Sequence, residues 1–178
     1  MKKLGIVLTV FLMIGFCGAA WGAAKMKIGY VNLQKALNES QHGKDAKAKF
    51  SEEVKKRQEE IASNEEKLKE FKDDLQKKAM ILNKETLNEK EAEFRKRAED
   101  FQRFFLQSDE EMKRKEAQLT RSILRGLEVV VRDIATKKGY TFIFEKMESG
   151  ILYGPETDDL TDEVVKKYDK KYSNSKNQ

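Results

Sequence analysis

The stretch AMILNKETLNEK, residues 79–90, decides how the middle of the chain folds. It lies in a highly charged run, residues 44–125, that contains neither glycine nor proline, so helix is favoured on both sides of it. Before the stretch, apolar residues recur every seven positions, as along one seam of a coiled coil: Val54, Ile61, Leu68, Leu75 and Leu82. The series then restarts at Leu87, which is five residues on and therefore out of phase.

This loss of phase, together with local capping residues, predicts a turn. Thr86 and Glu89 fit a capping box with Thr86 as the N-cap, and Asn83 tolerates the left-handed conformation that ends many helices. We therefore predict two antiparallel helices with a tip between them: helix 44–83, tip 83–86 and helix 87–137. Such a hairpin arm would be about 60 Å long, whereas the alternative, one unbroken helix, would be about 120 Å long.

The second seam of the arm is only partly apolar. On the first helix its positions hold Phe50, Arg57, Asn64, Phe71 and Lys78. On the second helix the aromatic residues Phe94, Phe101 and Phe105 continue the apolar pattern. A half-polar seam favours loose packing, or a face turned toward something other than a permanent partner.

Both ends of the chain contribute short strands to a small body. Residues 27–33 alternate in hydrophobicity, and the runs TFIFEK and GILYG predict a strand hairpin around residues 148–150. Ser40 is a candidate N-cap, and Gly43 permits a break before the arm. Beyond Leu119 the helical apolar face widens, so this part of the helix is expected to pack on the body. The predicted body residues are Ile28, Tyr30, Val31, Leu33, Leu127, Val130, Ile134, Phe142, Phe144, Ile151 and Tyr153.

These elements define an α+β chain that is mostly α. Residues 25–43 and 120–178 form the predicted body, and residues 44–119 form a coiled-coil arm that projects from it. Three short strands and two helix ends can bury only a small core in one chain. We therefore expect the body to oligomerise, with exposed strand edges as the contact surface.

The N-terminus has the organisation of a secretory signal peptide, which we place at residues 1–24. Lys2 and Lys3 precede an apolar run, residues 4–16, that is too short to span a membrane, and small residues follow it. An uncleaved anchor and a lipid-anchored Cys17 are the alternatives. Cleavage removes this single cysteine and lowers the formal charge from +5 to +3, an excess too small to indicate a nucleic-acid partner.

The sequence carries no recognisable catalytic or cofactor-binding motif. His42, the single histidine, lies in a polar run, and we interpret it as a surface residue. No phosphate-binding loop of the form G-x-x-x-x-G-K is present. Acidic pairs on the predicted helices are sequence neighbours, so their side chains point apart. We therefore predict a protein that is not an enzyme and that needs no cofactor and no metal.

What remains is a candidate binding surface on the arm. Apolar side chains off the seam are expected to be exposed, and such groups mark an interaction site, for which flexible methionine is well suited. Lysines around the tip outnumber Glu85 and Glu89 and would attract acidic partners or anionic headgroups. The predicted binding residues are Met80, Ile81, Phe104, Leu106, Lys77, Lys78, Lys84 and Lys90.

The order of these elements resembles the Skp (OmpH-like) family of periplasmic chaperones over essentially the whole mature chain. The resemblance is carried by KIGYVNLQKALNESQHGKDAKAKF at 27–50, by VKKRQEEI at 54–61, and by GYTFIF, ILYG and DLTDEVVKKY near the C-terminus. It implies a homotrimer in which the strands form one shared body and three helical arms surround a cavity. It also implies that unfolded outer-membrane proteins are held in that cavity without ATP.

We therefore expect an ATP-independent periplasmic holdase that keeps unfolded outer-membrane proteins from aggregating. Anionic lipid or lipopolysaccharide is a further candidate partner, and we assign no residue to the lipopolysaccharide site proposed for the family. The structural alternative is a coiled-coil spacer or scaffold of the cell envelope, and the half-polar seam counts against it. A third interpretation, a membrane-surface protein, requires a more basic amphipathic face than a charge of +3 provides.

Overall fold

The computed structural model describes residues 26–176. The elements, in chain order, are β1 (Ile28–Val31), α1 (Leu33–Glu39), α2 (Gln41–Lys78), α3 (Lys84–Lys138), β2 (Phe142–Glu145), a 3-10 turn (Glu156–Asp158) and α4 (Thr161–Lys176). The predicted signal peptide, residues 1–24, lies outside the described residues. The mostly helical α+β architecture expected from the sequence is confirmed.

The long charged run folds back on itself as an antiparallel hairpin of α2 and α3. Ion pairs and ring contacts across the two helices fix this orientation: Glu53 faces Lys115, Arg57 faces Glu111, and Phe71 faces Phe94. The intervening turn spans residues 79–83, so the predicted tip at 83–86 lies about one helical turn too late.

The capping residue at the tip also differs from the prediction. Asn83 has an extended backbone, with φ −67° and ψ 159°, and its side-chain oxygen accepts a hydrogen bond from the Thr86 N–H at 2.8 Å. Asn83 is therefore the N-cap of α3, rather than a left-handed end of α2, and Thr86 lies inside the helix. Two good capping residues stood three positions apart, and the chain uses the earlier one.

The arm has a thin interior. The α2 side chains along the seam, from Phe50 to Leu75, are only half-buried, and within residues 44–119 Ser108 is the single fully buried residue. The Ser108 hydroxyl has no hydrogen-bond partner among the described atoms. An arm with so little buried apolar surface is held together weakly compared with the body.

The body contains a two-stranded parallel sheet in place of the predicted three strands. β1 pairs with β2 in register from Ile28 with Phe142 to Val31 with Glu145, and Tyr30 forms a single bridge to Asp159 on the other side of β1. Residues 151–155 form no strand, so the predicted strand hairpin is wrong.

Glu145 gives the physical reason why the chain leaves the sheet at this point. One carboxylate oxygen accepts hydrogen bonds from the Met147 and Glu148 N–H groups at 2.6 and 2.7 Å, and the other accepts from the Leu33 N–H at 3.0 Å. Backbone donors held by a side chain are not available to a strand ladder. Gly150, with φ +71°, then redirects the chain.

The hydrophobic core lies where the end of α3 meets β1, α1 and α4. Its buried members are Val31, Ala36, Ile123, Leu127, Val130, Ile134, Leu160, Val164 and Tyr168. Of the predicted body residues, the buried ones are Tyr30, Val31, Leu127, Val130 and Ile134. Leu33 and Ile151 are half-buried. The others, Ile28, Phe142, Phe144 and Tyr153, are exposed.

A sharp corner joins the body to the arm. Ser40 caps α2 as predicted, because its hydroxyl accepts a hydrogen bond from the Gly43 N–H at 3.2 Å. The sequence suggested a break in the helix at Gly43. Instead, Gly43 lies inside the first turn of α2 and is buried. A Cβ atom at this position would lie 1.8 Å from the Leu37 carbonyl oxygen, so glycine is required for α1 to pack this closely.

Candidate interaction surface

The tip of the arm exposes two large apolar side chains, as predicted. Met80 is 96% exposed and Ile81 is 80% exposed, because both lie in the turn itself and not on a helix face. Leu82 is half-buried and closes the end of the seam. Two almost fully solvated apolar side chains at the end of a long arm form a small contact surface for an apolar partner.

The four predicted tip lysines divide into two kinds. Lys78 lies 2.9 Å from Asp74, and Lys90 lies 2.9 Å from Glu93, so both lysines form ion pairs, although Lys90 shares Glu93 with Arg97. The hydrogen bond from Lys90, joined by one from Arg97, lowers the pKa of the Glu93 carboxyl. Lys77 and Lys84 are exposed and form no ion pair within the described part of the chain, which leaves them to attract an anionic partner.

A second apolar surface lies midway along α3, and its membership differs from the prediction. Leu106 is 55% exposed as expected, but Phe104 is half-buried, with its ring 5.5 Å from the Arg57 guanidinium. Phe105, assigned to the seam, is 47% exposed instead. Because Arg57 occupies a seam position on α2 and covers the Phe104 ring, the two neighbouring phenylalanines exchange roles.

The seam opposite this surface is polar. The Arg57 guanidinium lies 3.4 Å from Glu60 and 3.5 Å from Glu111, so its charge is balanced by both helices. Ser108 lies on the facing helix with its hydroxyl unpaired. The middle of the arm therefore contains fewer apolar contacts than a regular coiled coil, and this favours local deformation of the arm.

The body exposes an apolar patch around its small sheet. The rings of Phe142 and Phe144 stack with their centres 6.1 Å apart, and Ile28 and Tyr153 are also exposed. Sequence reasoning missed Met147 and Leu152, which are exposed as well. The sequence could have indicated their exposure, because both are apolar residues close to Gly150 in a segment too short to bury them.

His42 is not the simple surface residue that the sequence suggested. Its ring stacks on Tyr172, with the ring centres 4.2 Å apart, and its Nδ1 lies 2.7 Å from the Tyr168 hydroxyl. Burial lowers the pKa of His42, an effect that Asp45 opposes and Lys49 reinforces. The histidine therefore links the first turn of α2 to α4 in its neutral form. The sequence signal was the pair of tyrosines spaced four apart on α4.

The described residues contain little that suggests chemistry or membrane insertion. Within residues 26–176, no three side chains among His, Cys, Asp and Glu are grouped to hold a metal ion. No helix in this range is both long enough and apolar enough to cross a membrane.

The fold and these surfaces define a class of protein in which a long helical arm projects from a small α+β body. The profile of the family described as outer membrane protein (OmpH-like) matches residues 27–168, and the chain belongs to this OmpH-like family. The resemblance noted in the sequence is confirmed.

A solved structure supports the same fold. It is that of an OmpH-like outer membrane chaperone from Caulobacter crescentus CB15, to which this chain aligns with a TM-score of 0.77. The alignment covers 88% of this chain and 91% of the other at 16% sequence identity, which establishes a shared fold. No curated protein matches the chain.

Proposed function

We propose that this protein is an ATP-independent periplasmic holdase that binds unfolded outer-membrane proteins and prevents their aggregation. Membership of the OmpH-like family and the fold shared with an OmpH-like outer membrane chaperone support a general chaperone role. The observation that carries the proposal is the exposure of Met80 and Ile81 on an arm with a thin interior.

The proposed mechanism rests on many weak contacts. Clients contact Met80 and Ile81 at the tip, Leu106 at mid-arm, and the lysines around the tip. Phe105 joins this set because of its exposure, and Phe104 contributes only where the arm deforms. Each contact is small, but several on one chain raise the overall affinity while each remains mobile. No step of this mechanism needs nucleotide, metal or catalysis.

We further propose that the body assembles as a homotrimer through its exposed apolar patch. Ile28, Phe142, Phe144 and Tyr153 would lose solvent contact in this assembly, which offsets the small core of the single chain. In sedimentation velocity, Tyr153→Asp is expected to shift the mature protein to smaller species. Val129→Asp, at an exposed apolar position of α3 that is not among the patch residues, serves as the matched control. Equal dissociation by both variants, or by neither, counts against the trimer contact.

Anionic lipid and lipopolysaccharide are further candidate partners, because of the lysines at the tip and the expected periplasmic location of the protein. We propose that residues 1–24 act as a signal peptide that directs the chain to the periplasm. There Lys77 and Lys84, which form no ion pair with any described residue, can also contact anionic lipid or lipopolysaccharide. The half-polar second seam, with Arg57, Asn64 and Lys78, counts against the scaffold alternative, because a permanent coiled-coil partner favours two apolar seams.

The test is suppression of aggregation. An outer-membrane β-barrel protein unfolded in urea is diluted into buffer, and light scattering is followed with and without the purified mature protein. We expect scattering to fall to the level of a soluble complex once the assembled chaperone equals the client in amount. Unchanged scattering at a several-fold excess would refute the holdase proposal.

A further inference from the structure

An apolar recess at the base of the arm shares no residue with the tip, the mid-arm surface or the body patch described above. It encloses about 640 Å³ between α1, α2 and α3. Its apolar lining includes Ile123, which is buried, and Leu37, Phe50 and Leu119, which are half-buried. We call this recess the base groove.

The base groove differs in kind from the tip. Met80 and Ile81 project from a convex turn, where a partner can bury each side chain on only one side. The groove is concave, mostly apolar, and within the volume range of sites that enclose a bulky organic group. A large apolar side chain that enters it would contact Phe50, Leu119 and Ile123 together, so it would lose most of its exposure to water.

The rim of the groove is positively charged. Lys44 and Lys47 of α2 line it, both are exposed, and neither forms an ion pair with any residue in the described range. Glu116 of α3 is the one acidic residue that lines the groove, so the rim keeps a net positive charge. A lysine ammonium on a flexible stem can meet a carboxylate in several positions without fixing the backbone of its partner.

We propose that the base groove docks a segment of unfolded polypeptide in which a large apolar side chain, preferably aromatic, lies beside a carboxylate. The apolar group occupies the space above Ile123, and the carboxylate pairs with Lys44 or Lys47. This inference rests on the proposed holdase function and deepens it, because it places an anchor for the client at the arm base in addition to the weaker contacts at the tip.

The apolar body patch is the better candidate for contact with a second copy of the chain. The recess beside that patch is lined by Ile28, Phe144 and Tyr153, and it shares no lining residue with the base groove. The proposed trimer contact therefore needs no residue of the base groove. The positively charged rim of the base groove suits a segment with acidic residues better than the body recess does, because Asp158 lines that recess.

The test uses fluorescent peptides of about twelve residues and the full mature protein. One peptide alternates phenylalanine with aspartate, a second replaces aspartate with lysine, and a third replaces phenylalanine with serine. We expect the first to bind at least about tenfold more tightly than either of the others, measured by fluorescence anisotropy. Equal binding of all three would overturn the proposal.

Charge reversal on the protein gives the matched comparison. Lys44→Glu with Lys47→Glu is expected to weaken the phenylalanine–aspartate peptide about tenfold and to strengthen the phenylalanine–lysine peptide. Lys69→Glu with Lys72→Glu, at exposed positions of α2 outside the groove, should leave both affinities unchanged. If both double variants weaken binding equally, the effect comes from overall charge, and the proposal that the groove binds the peptide is overturned. If the groove variant changes the sedimentation coefficient but not the peptide affinity, the groove contacts a second copy of the chain. That result also overturns the proposal.

Failure of the groove and failure of the holdase function remain distinguishable. If the wild-type protein suppresses aggregation and the groove variant binds the peptides normally, the groove proposal alone is wrong. If the wild-type protein does not suppress aggregation, the holdase function is wrong whatever the peptides show.

Discussion

Replacing Gly43 by alanine should destabilise the protein, although the same change in most helices stabilises it. Gly43 lies in the first turn of α2, where alanine would ordinarily gain about 1 kcal/mol from its higher helix propensity. Here the added Cβ would lie 1.8 Å from the Leu37 carbonyl oxygen and 3.0 Å from the Ser40 hydroxyl. The first of these is a backbone atom, so the clash cannot be relieved by a side-chain rotation.

The magnitude follows from the two opposing terms. Overpacking against a fixed neighbour costs about 1–3 kcal/mol, and a backbone clash this close belongs at the upper end. Displacing α2 also weakens the Ser40 cap, which is worth about 1 kcal/mol. Subtracting the gain in propensity leaves a net loss of about 2–3 kcal/mol in the free energy of unfolding.

The assay is urea unfolding followed by far-ultraviolet circular dichroism, at one protomer concentration because assembly contributes to stability. With a slope near 2 kcal/mol per molar urea, the midpoint of Gly43→Ala should fall by about 1–1.5 M. Ala48→Gly, at an exposed position one to two turns further along α2, calibrates propensity alone and should cost about 1 kcal/mol. A midpoint for Gly43→Ala at or above wild type would refute the close packing of α1 on the start of α2.

Three further predictions concern the arm and its attachment to the body. Ser108→Ala should raise the free energy of unfolding by about 1 kcal/mol in the urea assay, because it removes a buried hydroxyl that lacks a partner, and an unchanged or lower value would contradict this. Asn83→Ala should cost about 1 kcal/mol through loss of the α3 cap, seen as faster hydrogen exchange in residues 84–88; exchange unchanged there would argue against the cap. The pKa of His42 is lowered in the folded protein, so the unfolded chain binds the proton more readily. The stability that the neutral ring contributes is therefore complete above about pH 7, and it declines as the pH falls below 6.5. His42→Phe keeps the stacking and should therefore lose stability less steeply than wild type between pH 7 and 5, whereas parallel curves would rule out a role for this histidine.

The arm was largely predictable because its information is local. Heptad spacing up to Leu82 and the restart at Leu87 were sufficient to predict a hairpin. The position of the turn was not, because Asn83 and Thr86 are both effective N-caps and the sequence alone does not rank them. The exchange between Phe104 and Phe105 depends on Arg57 across the seam, which is a contact between residues 47 positions apart.

The body was less predictable because its contacts are distant in sequence. β1 finds both of its neighbours more than 110 residues away, at Phe142 and at Asp159. The run GILYG alternates like a strand, but the Glu145 carboxylate holds the backbone donors that a hairpin with β2 would begin from. The links between His42 and α4 were missed for a similar reason, since Tyr168 is 126 residues away in the chain.

The most direct test of the central claim is site-specific photo-crosslinking to an unfolded client. A photoreactive phenylalanine analogue is placed at Ile81 at the tip, at Leu106 in mid-arm, and at Val129, which is an exposed apolar control on the body segment of α3. Each protein is irradiated with an unfolded outer-membrane β-barrel protein and again with the same barrel after folding. The account predicts adducts from positions 81 and 106 with the unfolded client only, and few or none from position 129. Equal adducts from all three positions, or adducts with the folded barrel, would contradict the claim that the arm holds unfolded clients.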